Sequence, residues 1–320
     1  MDKKKLNLDL YKNLYLIRKS EEKIRKYYME DEMKTPVHLS VGQEAIATGV
    51  VKALKDDDHI LGTYRSHGIY LARTNETDKF FAELYGKNTG LAKGKAGSMH
   101  LFSPEHNFMG ASAVVTTIVP VATGVALANK MKKNGKTVAV FFGDGALEEG
   151  GFWESINFAS LKNLQIIFVC EDNGLAIHAH KKDRQSFKSI TDIVSKFNFN
   201  TFKDDTTDVE KIYQLTNKAV MTMAKNKKPC FMHLKYYRYL EHVGINEDFE
   251  FGYRKKDEYE KWYDKDPITI QRSKLIKIGF NEDDIQKIEF NIDLQIENSI
   301  KLAKEAPFPP SEEICKDVYI

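Results

Sequence analysis

The sequence has little cysteine and no pairing among it. Of 320 residues only Cys170, Cys230 and Cys315 are cysteines, widely spaced and without a CxxC. That gives neither a disulfide framework nor a zinc-ligand spacing, and points to a reducing compartment. An excess of charge is also missing. The 48 Lys and Arg and 46 Asp and Glu residues leave a net charge of +2, with both signs mixed along the chain. Proteins that follow a nucleic-acid backbone gather positive charge on one face, so nucleic acid is set aside as a partner. No run approaches the roughly 18 apolar residues of a membrane span, and the start MDKKKLNLDLYKNLYL has no continuous signal-type apolar stretch. There is no internal repeat or low-complexity segment, and nothing forces a split into two domains. With 42% apolar residues the chain can bury a sizeable core. A cytoplasmic globular protein is expected.

Residues 7–30 place Leu, Ile and Tyr at helical spacing between charges, which predicts an amphipathic helix for packing or an oligomer interface. A second helix, with small residues on one face, is predicted from His38 in HLSVGQEAIATGVVKAL. ILGTYRSHG follows as a short strand feeding a polar loop. Between Gly86 and Gly110 no period is sustained, so an extended and functional loop is expected. IVPVATGVALANKMKKN reads as a helix. TVAVFFGDG and LQIIFVCEDNG are continuous apolar runs, the pattern of strands buried on both faces of a parallel sheet, and the helix GGFWESINFASLKN between them completes a β-α-β unit. Its right-handed crossover puts both carboxyl ends on one edge. SITDIVSKFN and YQLTNKAVMTMAKNKKP read as helices, CFMHLKYYRYL as a strand, 241–267 as a charged aromatic loop, and the remainder as helical.

Open parallel sheets bind ligands beyond the carboxyl ends of their strands. Asp144 and Asn173 fall there, one after each run. Gly143 and Gly145 let backbone amides approach an anion, and the helix beginning near Gly150 offers a positive end. A Gly-Asp-Gly triplet taken alone also fits a turn in which Asp caps the next helix. Paired with Asn-Gly after the adjacent strand, it offers hard oxygen ligands on a shared edge, which suits Mg²⁺ held together with a diphosphate.

GDG followed after an α-β unit by CEDNG resembles the thiamin-diphosphate fingerprint. The flanking HLSVGQEA, TYRSHG, KGKAGSMH, GDGALEEGGFWESINFAS, YYRYLEH, GYR, DPI and APFPP are similar, in that order, to the alpha subunit of the decarboxylating component of 2-oxo acid dehydrogenase complexes of pyruvate, branched-chain or acetoin type. The resemblance covers almost the whole chain. It implies the α/β thiamin-diphosphate-binding fold, a mostly parallel central sheet with helices on both faces. One diphosphate-binding domain would span 1–320, with a helical arm at about 1–35 and a helical extension at about 255–320.

It further implies that Asp144, Asn173 and the carbonyl of Leu175 bind the metal, and that the amides of Gly145 and Ala146 approach the diphosphate of thiamin diphosphate. Tyr64 and Arg65 match a diphosphate-contacting pair, in keeping with the fork geometry of a guanidinium. Val115 matches a hydrophobic residue beneath the cofactor and Ala113 a small residue facing its aminopyrimidine. His242, four residues after Arg238, matches a histidine beside the reacting ring, and His67 a second one at the entrance. A neutral imidazole with a pKa near 7 suits both for moving protons. His100 has a family counterpart and no assigned role. His178 and His180 are spaced like metal ligands but are read as lining the cofactor loop.

Two departures stand out. Asp172 replaces the usual Asn, adding a negative charge expected to alter the hydrogen bonds of the metal loop. Leu-Glu-His-Val at 240–243 replaces His-Gly-His-Ser, removing the serine phosphorylated in animal relatives. The activating glutamate of the family comes from a beta subunit, so a heterotetramer of two alpha and two beta subunits (α₂β₂) is expected. The first helix and VPVATGVALA would then serve subunit packing. Three functions are weighed: a 2-oxo acid dehydrogenase subunit passing an acyl group to lipoyl-lysine on a transacylase, a decarboxylase or carbon–carbon ligase without that partner, and a non-catalytic scaffold.

Overall fold

The structure, a computed structural model, describes residues 2–316. In chain order it comprises α1 (Lys3–Tyr27), α2 (Glu44–Ala53), β1 (His59–Thr63), α3 (His67–Thr74), α4 (Asp78–Leu84), β2 (Phe108–Ser112), α5 (Ile118–Lys132) and β3 (Val138–Gly143). A 3₁₀ turn at Asp144–Glu148 leads to α6 (Gly150–Leu161) and β4 (Ile166–Asp172). The small hairpin β5 (Leu175–Ala176) and β6 (Ala179–His180) is followed by α7 (Lys181–Arg184), α8 (Ile190–Ser195), β7 (Asn200–Asp204), α9 (Val209–Asn226) and β8 (Cys230–Lys235). The chain then runs through α10 (Lys256–Tyr263), α11 (Pro267–Lys277) and α12 (Glu282–Glu305).

The apolar runs explain the sheet. β3 and β4 pair in parallel from Val138↔Ile166 to Gly143↔Glu171 and lie centrally in the order β2-β1-β3-β4-β8-β7, with every pair parallel. Successive side chains of a strand point to opposite faces. Val138, Val140, Phe142, Ile166 and Phe168 therefore enter one core, with α5, α6 and α8. Ala139, Phe141, Ile167 and Val169 enter the other, with α1, α2, α3, α4, α9 and α12. Each large side chain buried this way contributes roughly 1.5–3 kcal/mol. The expected α/β fold with helices on both faces is present.

Five expectations need correction. Residues 241–267 are not all loop, because α10 forms at Lys256–Tyr263. The second helix begins at Glu44, not His38; residues 38–43 turn at Gly42, whose φ of +96° and whose nearness to the Tyr237 carbonyl leave no room for a Cβ. The loop after Gly86 ends in edge strand β2. The last strand stops at Lys235, and YYRYL continues as a loop. The apolar face of α1 does not serve a subunit contact, because Leu10, Tyr11, Leu14 and Ile17 are fully buried within the chain. The small-residue face of α2 packs on α9 as expected, Gly49 lying against Ile212.

The aperiodic loop owes its order to one carboxylate. Glu83 of α4 is buried and accepts the amides of Ala92 (2.8 Å), Gly94 (3.1 Å), Ala96 (2.7 Å) and Gly97 (3.0 Å). Ser98 then reaches His67, and Lys93 and Lys95 pair with Glu313 near the C-terminal end.

Candidate active site

Side chains and backbone beyond four adjacent strands converge on one cavity of about 260 Å³. Thr63, Tyr64 and Arg65 follow β1, Gly143 to Ala146 follow β3, Glu171, Asn173 and Leu175 come from the end of β4, and Tyr236 follows β8. Val115 and His242 complete the wall. Gly145 lets the hairpin close on this turn, since its Cβ would meet that of Ala176 at 3.1 Å.

Asp144 is almost fully buried. Its Oδ2 accepts from Arg184, while its Oδ1 has no hydrogen-bond partner. Burial, then the nearby Asp172 charge, pushes its carboxyl up to about 7 despite Arg184. A buried carboxylate oxygen without a partner is costly, so this wall suits a cation. Asn173 donates to the Tyr236 hydroxyl (2.9 Å), and its Oδ1 accepts from the Leu175 amide (2.9 Å), leaving that oxygen a second lone pair. Asp144, Asn173 and Leu175 all line this cavity, and carboxylate, amide and backbone carbonyl oxygens are the ligand types that Mg²⁺ takes. Arg65 is buried and held by the carbonyls of Leu39 (2.8 Å) and His242 (2.9 Å).

His242 sits at the tip of a loop fixed from behind. Arg254 donates to the Leu240 carbonyl (3.0 Å), and Glu241 accepts from the Asn246 amide (2.8 Å). The Leu240–Val243 departure lies in this fixed loop. Arg238 and Arg65 approach His242 Nδ1 at 3.3 and 3.5 Å. A guanidinium only donates, so Nδ1 accepts and the ring proton sits on Nε2. Burial first, then both arginines, lowers the His242 pKa to about 3. The expected value near 7 is corrected: His242 is a neutral hydrogen-bond donor.

The remaining expected residues are placed less directly. Arg238 does not line the cavity; it is buried behind His242 and bonded to Tyr253 and Asp248. Ala113 lies outside the lining, two residues before Val115. His67 is fully buried away from the entrance, with Nδ1 on Glu21 (3.0 Å) and Nε2 on Ser98 (2.6 Å), so it positions structure and does not face a substrate. His178 packs against Tyr253 with tilted rings at 4.5 Å and His180 bonds the Tyr253 carbonyl. Among the described residues no cluster of three or more His, Cys, Asp or Glu side chains could hold a metal ion. Asp172 does not leave the loop after β4 with a loose charge. Burial opposes its carboxylate, but hydrogen bonds from His233 and Lys181 outweigh this and hold its pKa below the usual range.

Sequence reasoning missed Gln43, Glu171 and His38. Glu171 is buried at the cavity wall, pushed up to about 8 by burial, with Oε1 lacking a partner. His38 packs between Tyr64, tilted at 4.5 Å, and His242, edge-on at 5.1 Å. The motifs HLSVGQEA and CEDNG contained all three; nothing in their local pattern set them apart.

The family model of the dehydrogenase E1 component matches residues 12–312. The pyruvate dehydrogenase E1 component subunit alpha of Porphyra purpurea is 33% identical over 320 residues, covering 98% of this chain and 92% of its own. That of Zymomonas mobilis is 31% identical, covering 98% and 88%. The alpha subunit of the acetoin:2,6-dichlorophenolindophenol oxidoreductase of Bacillus subtilis is 32% identical, covering 97% and 92%.

Proposed function

The chain belongs to the dehydrogenase E1 component family, and from that premise we infer that it is the alpha subunit of a thiamin-diphosphate-dependent 2-oxo acid dehydrogenase, an oxidoreductase. The reaction is oxidative decarboxylation of a 2-oxo acid with acyl transfer to lipoyl-lysine. When bound, thiamin diphosphate supplies the carbon nucleophile and electron sink that this decarboxylation needs. The alternative of a decarboxylase or carbon–carbon ligase without a lipoyl partner is not favoured, since the relatives are named as dehydrogenase or oxidoreductase subunits.

The observation that carries the site reading is the buried, unpartnered Oδ1 of Asp144 in a residue that lines one cavity together with Asn173. In this reading Asp144, Asn173 and the Leu175 carbonyl hold Mg²⁺. The Gly145 and Ala146 amides, with Tyr64 and Arg65, bind the diphosphate, and Val115 supports the rings, with Ala113 close by. His242 presents its Nε2 proton to the developing negative charge of the substrate, held there by Arg238 and Arg65.

The alpha-subunit naming of the relatives implies a beta-subunit partner. We place the activating glutamate on that beta subunit, in an α₂β₂ heterotetramer that passes the acyl group to a lipoyl transacylase. Exposed apolar residues at the cavity support this: Ile177 of its lining is 57% exposed and Val114, next to the lining residue Val115, is 61% exposed, a rim suited to another chain. One diphosphate-binding domain with its helical arm and extension, working in the cytoplasm, belongs to the same reading; the unpaired cysteines are in keeping with it. Among the described residues no helix is long and apolar enough to cross a membrane. Calorimetric titration of the alpha–beta complex with thiamin diphosphate and Mg²⁺ tests the site. Asp144→Ala is expected to weaken cofactor binding by at least about 100-fold; wild-type affinity in that variant refutes the assignment.

A further inference from the structure

One short helix grips both strand ends of the site from behind. Arg184, the last residue of α7, donates from Nη2 to Asp144 Oδ2 and from Nη1 to the Asp144 carbonyl (3.5 Å) and to Glu148. Lys181, the first residue of α7, donates to Asp172 Oδ2 at 2.6 Å, and its own amide bonds the Gly174 carbonyl at 2.9 Å. Asp172 Oδ1 in turn accepts the Gly174 amide at 2.8 Å, and His233 of β8 reaches Oδ2 at 2.5 Å. Residues three apart on a helix project from one side, so the two cations address the ends of β3 and β4 together. Asp144 and Asn173 line the cavity; Lys181 and Arg184 do not.

We propose that α7 is a two-pronged positioning clamp for the metal site. Arg184 engages one oxygen of Asp144 and so turns the other toward the cavity. Lys181 neutralises Asp172 and thereby keeps the loop bearing Asn173 and Leu175 in the conformation that an uncharged residue at 172 would give it. The inference rests on the reading that Asp144 and Asn173 hold Mg²⁺. The physical reason is that a carboxylate rotates freely unless one oxygen is anchored, and a charge-assisted bond is the strongest anchor a side chain provides. A second carboxylate one residue from Asn173 would otherwise compete as a ligand in a misplaced geometry. Lys181 is therefore needed because residue 172 is Asp.

The test is calorimetric titration of Mg²⁺ into the alpha–beta complex at saturating thiamin diphosphate, with metal-free thermal melting of each variant as the folding control. Arg184→Met is expected to weaken Mg²⁺ binding about 10–100-fold, the usual effect of removing a partner of a ligand, and Arg184→Lys to weaken it less. Lys181→Met is expected to weaken it similarly, and adding Asp172→Asn to that variant to restore wild-type affinity, at an unchanged metal-free Tm. A merely structural lysine would show no such rescue. Wild-type affinity in Arg184→Met, or a double variant no better than Lys181→Met, overturns the clamp while leaving the metal site standing. A wild-type complex that takes up no Mg²⁺ overturns both.

Discussion

At the scale of single residues, the ring nitrogens decide what the site can do with protons. Burial with Arg65 and Arg238 nearby lowers His242 from 6.5 to about 3, and burial with Arg65 lowers His38 from 6.5 to about 2. The folded chain refuses protons that the unfolded chain accepts below about 6.5. Stability is therefore full above that pH and falls as pH drops from 6.5 toward 3. His242→Asn is expected to make the decline of Tm with falling pH shallower in that window, measured by calorimetric melting; an unchanged slope would mean that the histidine titrates normally. The activity profile carries a matching expectation, that no ionisation near pH 6.5 belongs to His242. Asp144 and Asn173 were legible because each ends an apolar run in a glycine-bearing turn. The fate of His67 was not: its partners Glu21 and Ser98 lie 46 and 31 residues away, and a buried structural histidine leaves the same local pattern as a catalytic one.

At the scale of elements, close packing sets the tolerances. A Cβ on Gly49 would approach Ile212 Cγ2 to 2.7 Å where α2 crosses α9. Gly49→Val is expected to cost about 1–3 kcal/mol by overpacking, read as a lowered midpoint in denaturant unfolding; the same change at exposed Gly124, where a Cβ meets nothing within 4 Å, gives no such clash. The central strands β3 and β4 were readable because burial on both faces leaves polar side chains only at the carboxyl end of β4, in Glu171 and Asp172. Edge strands β2 and β7 were not. FMGAS and NTFKD pair on one side only and stay half-buried, so they need no apolar pattern. Likewise α3 and α4 are too short, at 8 and 7 residues, to display a period.

At the scale of the whole molecule, the cavity carries exposed apolar residues, Val115 and Ile177, in its own lining. The purified chain alone is expected to show no turnover of a 2-oxo acid, and addition of the beta subunit to restore it, measured as carbon dioxide release; turnover by the isolated chain would contradict the shared site. Val121 on the outward face of α5 is 54% exposed, and Val121→Glu is expected to weaken subunit association in analytical ultracentrifugation without altering the melting of the isolated chain. Little of this level was visible in the sequence, since an exposed valine and a buried one look alike until the helices are placed. The segment after Gly86 joins both ends of the chain, through Ser98 to His67 and Glu21 on one side and through Lys93 and Lys95 to Glu313 on the other. Its interior holds no helix or strand between residues 92 and 97, and four of its amides point to the Glu83 carboxylate. Because four amides share one side chain, withdrawal of Glu83 frees them together, and they are expected to exchange with deuterated solvent at similar rates, faster in Glu83→Gln.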